Sequence, residues 1–133
     1  MIDVYIVDMP LPRPLCTRLP IEVESALEQH FYEQGWAPSE GLRAIILEWL
    51  ALDRYPKIEF RETSAGRRSA LREGPEVWEI AASAGPSRAM SAAVGQCFAG
   101  VRSDELEEAL SYARAHRAEI DPLVARAERL AAR

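Results

Sequence analysis

The chain has 133 residues, 48% of them hydrophobic and 28% charged, with a formal net charge of -5. That composition excludes a disordered polar chain and fits one ordinary domain or two small modules. No apolar run approaches the roughly 20 residues of a membrane span, and no basic region precedes the apolar residues of the N-terminal MIDVYIVDMP, so a cytoplasmic protein is expected.

The charge is uneven. Residues 1–50 carry Arg13, Arg18 and Arg43 against Asp3, Asp8, Glu22, Glu24, Glu28, Glu33, Glu40 and Glu48, so the whole net charge of -5 resides there. An acidic front half opposes non-specific binding to phosphates. Cys16 and Cys97 are distant and lack CxxC spacing, and His30 and His116 form no HExxH pattern, so neither a metal site nor a cofactor is expected.

Residues 2–7 alternate apolar and polar, a candidate extra strand. Pro10, Pro12 and Pro14 then interrupt a segment that otherwise reads as extended, because proline cannot donate to a strand ladder. A short strand over residues 15–19 with a polyproline-like lead-in is the expectation. From Pro20 a helix is announced, with Glu22 and Glu24 near its positive end, a stripe through Val23, Ala26, Leu27, His30 and Phe31, and Gly35 as its stop. A second helix begins at Pro38 and carries Leu42, Ile45, Ile46, Trp49 and Leu50 before Tyr55-Pro56 ends it. Two short helices cannot shelter both stripes from water by themselves, so a homodimer is expected.

After Pro56 the period changes. Ile58 and Phe60 alternate with Glu59 and Arg61, TSAGRR supplies a turn and SALR returns, which predicts a β-hairpin. Arg61, Arg67, Arg68 and Arg72 gather on it, where Arg67 and Arg68 are candidate contacts of a wing to a phosphate backbone or else solubilise an exposed edge. A short helix is predicted over residues 75–83, another over 88–98 with Ser87 as its cap, and a third capped by Ser103 after the turn at Gly100. That pair has helix-turn-helix spacing, but its second helix offers Asp104, Glu105, Glu107 and Glu108 rather than basic or amide side chains. Asp121-Pro122 is a place to bend or restart the closing helix. Ser87, Ser103, His30 and His116 lack any nucleophile elbow or paired-carboxylate spacing, so no enzyme activity is expected.

The stretch TRLPIEVESALEQHFYEQGWAPSEGLRAIILEWL resembles the ribbon-helix-helix family of transcription regulators and antitoxins, through Arg18-Leu19-Pro20, Gly35, Ser39-Glu40, Leu42-Arg43 and Ile46. The resemblance implies a dimer whose paired strands lie in the major groove of operator DNA. Its register implies that Pro14, Cys16 and Arg18 face DNA, with Arg13 beside them, while the start of the second helix near Ser39 meets a phosphate. Prolines in the ribbon, Ala37 at the usual capping serine and Glu40 depart from the pattern. Residues 55–128, with ALREGPEVWEI and EEALSYARAHRAEID, resemble the domain-of-unknown-function family numbered four hundred and thirty-three, a winged-helix-like domain of VapB-type antitoxins.

The second resemblance implies a PIN-like ribonuclease toxin as partner. Arg126, Arg129 and Arg133 share one helical face, and the resemblance implies that such a basic tail presses on the toxin's carboxylates, for which a planar guanidinium is suited. The expected fold is therefore mainly α with short β elements: a ribbon-helix-helix-like module over residues 1–54, then a hairpin and helix-turn-helix-like module over residues 55–133. The expected role is an antitoxin and autorepressor. The alternative is a protein-interaction and dimerisation module that has lost DNA binding, as the acidic front half and the prolines suggest.

Overall fold

A computed structural model describes residues 12–133; the alternating run at residues 2–7 lies outside them. The described chain is mainly helical, with one antiparallel pair of strands. Two compact units divide it, the first ending at Leu47 and the second being Glu48–Arg133.

In the first unit, residues 12–20 carry no strand. A ribbon of the expected kind takes its hydrogen bonds from a second chain, so a single chain leaves those groups unladdered. Helix α1 spans Ile21–Gln34, and the Pro20 carbonyl accepts from the amides of Val23 and Glu24. Gly35 ends it in the left-handed conformation (φ 72°), with the Gly35 amide bonded to Tyr32 O and the Trp36 amide to Phe31 O. Helix α2 follows over Pro38–Arg54. Phe31 is 5% exposed and lies against Gly41, where a Cβ would fall inside the phenyl ring. Glycine is what lets the two helices approach at that point.

The second unit begins within α2, a little before the boundary expected from the sequence. The reason is visible in the core, where Ala51 and Tyr55 pack with Ile58, Leu71 and Leu110. Strands β1 (Ile58–Thr63) and β2 (Gly66–Leu71) pair from Ile58 opposite Leu71 to Thr63 opposite Gly66. Period-2 alternation sends Ile58 inward, while Ser64 and Ala65 make the turn. Helix α3 spans Val77–Ala84, entered through a bond from the Glu76 amide to the Glu79 carboxylate.

The helix expected over residues 88–98 is shorter than its periodicity suggests. Arg88 is left-handed (φ 56°), which no helical residue tolerates, and α4 is only Ala92–Cys97, capped by Ser91 rather than Ser87. Gly100 (φ 91°) turns the chain into α5, Ser103–Ala115. Ser103 is the first residue of that helix, not its cap; Arg102 holds the cap position and its amide bonds to Glu105. The closing helix breaks at His116, before the expected place, and α6 runs Arg117–Ala131 with Pro122 inside it. Val77, Ile80, Leu106, Tyr112, Ile120 and Val124 join α3, α5 and α6 in one core. Each fully buried aliphatic side chain there contributes about 1.5–3 kcal/mol of burial.

Candidate functional site: nucleic-acid and partner interfaces

Arg13, Cys16 and Arg18 are all exposed, and Cys16 is a free thiol. Ser39 is exposed in the first turn of α2. The amides of that turn are where an anion would be received, but Glu40 folds back so that its Oε1 accepts from the Ala37 N–H at 3.3 Å. A carboxylate of the protein's own thus already sits at the positive end of α2.

The apolar face of this unit is more informative than its cations. Leu15, Leu19, Ile21, Val23, Leu42, Ile46 and Leu47 are exposed, as are Trp49 and Leu50 further along α2. Leu42, Ile46, Trp49 and Leu50 recur at i, i+4, i+7 and i+8, one stripe of one helix. Phe31 is the one large apolar side chain buried among the described residues that end at Leu47. So little burial does not offset the backbone entropy of ordering two helices, and an apolar partner surface would supply the difference.

The arginines of the hairpin are engaged within the chain. Arg67 grips Glu48 with two nitrogens, Nε on Oε1 and Nη2 on Oε2 at 3.0 Å, and also reaches Glu62 at 3.3 Å. The Glu48 hydrogen bond raises the Arg67 pKa, opposed by partial burial and assisted by the charges of Glu48 and Glu62. Arg68 lies half-buried, 3.9 Å from Glu76. Arg61 bonds Glu59 and the carbonyls of Leu71 and Gly74, and Arg72 donates to Pro56 O. A guanidinium bound bidentately to a carboxylate must surrender that pair to reach a phosphate. This geometry makes the hairpin a braced structural element with little free positive charge at Arg67.

Arg126 and Arg129 are exposed on α6, with Leu130 beside them, and Arg133 is exposed two residues past the helix end at Ala131, outside the helical face expected for it. No ion pair involves the three guanidiniums among the described residues. The opposite side of the helix buries Ile120 and Val124, which fixes the arginine face outward. The structure therefore leaves Arg126 and Arg129 exposed on α6 and Arg133 exposed beyond its end, whereas the hairpin pair is diverted to carboxylates.

Sequence reasoning missed two polar clusters. Arg88, 6% exposed, donates through Nη1 to Ala81 O and Gly85 O and through Nη2 to Asp121 at 2.9 Å, while its backbone carbonyl accepts from Arg114. Glu119 accepts from Ser69 Oγ at 2.6 Å and from the Tyr112 hydroxyl, and the Tyr112 ring stacks on His116 at 4.0 Å. Burial, then the Glu119 charge, pushes the Tyr112 hydroxyl well above its ordinary pKa. Neither cluster has a short-range sequence signal, since its members meet only through tertiary packing. An open cleft of about 670 Å³ lies between Arg54, Tyr55, Met90, Glu107, Glu108 and Arg114, lined by charges of both signs. Among the described residues no three His, Cys, Asp or Glu side chains form a metal-ligating group, and no helix is long and apolar enough to cross a membrane.

Comparison of the chain with protein-family models, with curated proteins and with solved structures gives no match.

Proposed function

We propose that the chain is the antitoxin of a toxin–antitoxin pair, dimerising through its ribbon-helix-helix-like front module, binding operator DNA and neutralising a PIN-like ribonuclease through α6. One observation carries this reading: the exposed apolar stripe of α1 and α2, in a unit where Phe31 is the one large apolar side chain buried among the described residues. A second copy would cover that stripe and supply the missing strand partner for residues 15–19. Arg18, exposed and three residues before the start of α1, is then the principal base reader, with Arg13 and Cys16 beside it. In the second unit the helix pair across Gly100 plays the helix-turn-helix part, and the hairpin the wing.

The tail supports the partner half of the reading. Two exposed arginines of α6, Arg126 and Arg129, with Arg133 just past its end and exposed Leu130 between them, suit an acidic protein surface with an apolar spot. The reading assigns the chain no catalysis and no cofactor. Removing residues 122–133 is expected to leave a co-expressed toxin active. A truncated chain that still neutralises would contradict the role given to Arg126, Arg129 and Arg133.

A second reading is favoured by Glu40 at the α2 terminus and by Glu48 on Arg67: a dimerisation and protein-interaction module without DNA binding. A low-salt gel shift with the DNA preceding the chain's own reading frame separates the two. The first reading predicts a specific shift abolished by Arg18→Ala; absence of any specific shift leaves the second.

A further inference from the structure

We infer that the cavity beside Arg88 is a binding site for a carboxylate, taken side-on by the Arg88 guanidinium. The site goes beyond the reading above: it uses no residue of α1 or α2, and neither Arg126 nor Arg129 lines it.

The first observation is an orphaned donor. The Arg88 side chain is 7% exposed, yet its Nε has no hydrogen-bond partner, the one buried side-chain nitrogen or oxygen so left among the described residues. Nη1 is fully used, on Ala81 O at 3.0 Å and Gly85 O at 2.7 Å, while Nη2 gives one bond, to Asp121 Oδ1 at 2.9 Å. Nε and Nη2 form the edge by which Arg67 holds Glu48 side-on, and on Arg88 that edge is only half engaged. A buried donor without an acceptor is costly, and the left-handed backbone of Arg88 (φ 56°) adds strain at the same residue.

The second observation selects the occupant. Arg88 lines a cavity of about 200 Å³ between the turn at residues 85–88 and the face of α6 that carries Arg117, Asp121, Ala125 and Glu128. Two guanidiniums share one carboxylate there: Asp121 is 2.9 Å from Arg88 through Oδ1 and 3.8 Å from Arg117 through Oδ2. Glu128, about 10 Å further along α6, forms no ion pair with either. One positive charge is thus unmatched beside an unused N–H, and a carboxylate supplies both the charge and a planar pair of oxygens. Asp121 is the wall that yields. Its side chain is 43% exposed and already faces Arg117, so a shift of its carboxylate from Arg88 to Arg117 opens the Nε–Nη2 edge and leaves each guanidinium with one carboxylate. Phosphate, with about twice the charge, would meet Asp121 and Glu128 in the same small space.

The test titrates the full chain at constant ionic strength with sodium acetate, and separately with a blocked peptide carrying one glutamate, while the arginine Nε–H resonances are followed by NMR. The Arg88 Nε–H is closed off from water and so exchanges slowly enough to be seen; that of Arg67, already on Glu48, is the internal control. Acetate is expected to move the Arg88 resonance saturably and to leave Arg67 in place. A response to the peptide at equal or lower concentration assigns the carboxylate to a partner's side chain, and a response to acetate alone assigns it to a free acid. Glu128→Gln, at an exposed side chain, is expected to lower the acetate Kd about threefold by removing a like charge, and Ala125→Phe, which fills the cavity, to abolish the response. A response that is absent, that Arg67 shares, or that neither variant alters overturns the proposal. Phosphate moving the Arg88 resonance as far as acetate does overturns the choice of a carboxylate.

Discussion

Ile46 sits in the middle of the α2 stripe and is 50% exposed. Fully burying an isoleucine is worth about 1.5–3 kcal/mol, so covering the exposed half contributes about 1 kcal/mol per copy. In a two-fold dimer the residue appears twice, and Ile46→Ala is expected to weaken association by about 2 kcal/mol, roughly a 30-fold rise in Kd. Sedimentation equilibrium at several concentrations reads that number directly. The change should leave the second unit alone, since its core is built from Ala51 onward and does not include Ile46. A rise below about threefold would refute the reasoning, as would an unaltered Kd accompanied by a lower melting temperature of the whole chain.

Other expectations follow from single contacts. Gly41→Ala drives a methyl group into the Phe31 ring and is expected to cost about 1–3 kcal/mol of α1–α2 stability, measured as lost helicity in thermal melts. Arg88→Met strands the carbonyls of Ala81 and Gly85 and should cost about 2–4 kcal/mol in urea unfolding; an unchanged midpoint would show that water replaces the guanidinium without loss. Tyr112 has its pKa raised on folding above the ordinary 10.0, so the native state holds a proton that the unfolded chain releases. Its contribution is intact below about pH 10 and stability then falls by about 1.4 kcal/mol per pH unit, a slope that Tyr112→Phe should flatten.

What could be read in advance was local chemistry. Pro20, Gly35, Pro38 and Tyr55-Pro56 punctuate the first two helices because each constrains the backbone at its own position, and α1 and α2 end where those residues stand. Alternation with a turn likewise placed β1 and β2. The misreadings came where distant groups decide. Arg88 leaves the helical region while its side chain and carbonyl meet α3, Asp121 and Arg114, and nothing within PSRAMS announces that. The break at His116 has no glycine or proline beside it; the imidazole is held on Tyr112 by stacking and by a bond to Tyr112 O. The four hairpin arginines were legible as a basic group, but Glu48, Pro56 O and Glu76, which engage Arg67, Arg72 and Arg68, lie outside the hairpin strands, and those partners redirect the charge. Spacing alone put Arg126 and Arg129 on one helical face, but it could not foresee that α6 ends at Ala131 and leaves Arg133 beyond it.

The account rests on α1 and α2 finding their core in a second chain. The mass of the purified full-length chain in solution at micromolar concentration tests this most directly. Twice 14.9 kDa is predicted, and a stable 14.9 kDa monomer with α1 and α2 fully helical would contradict it.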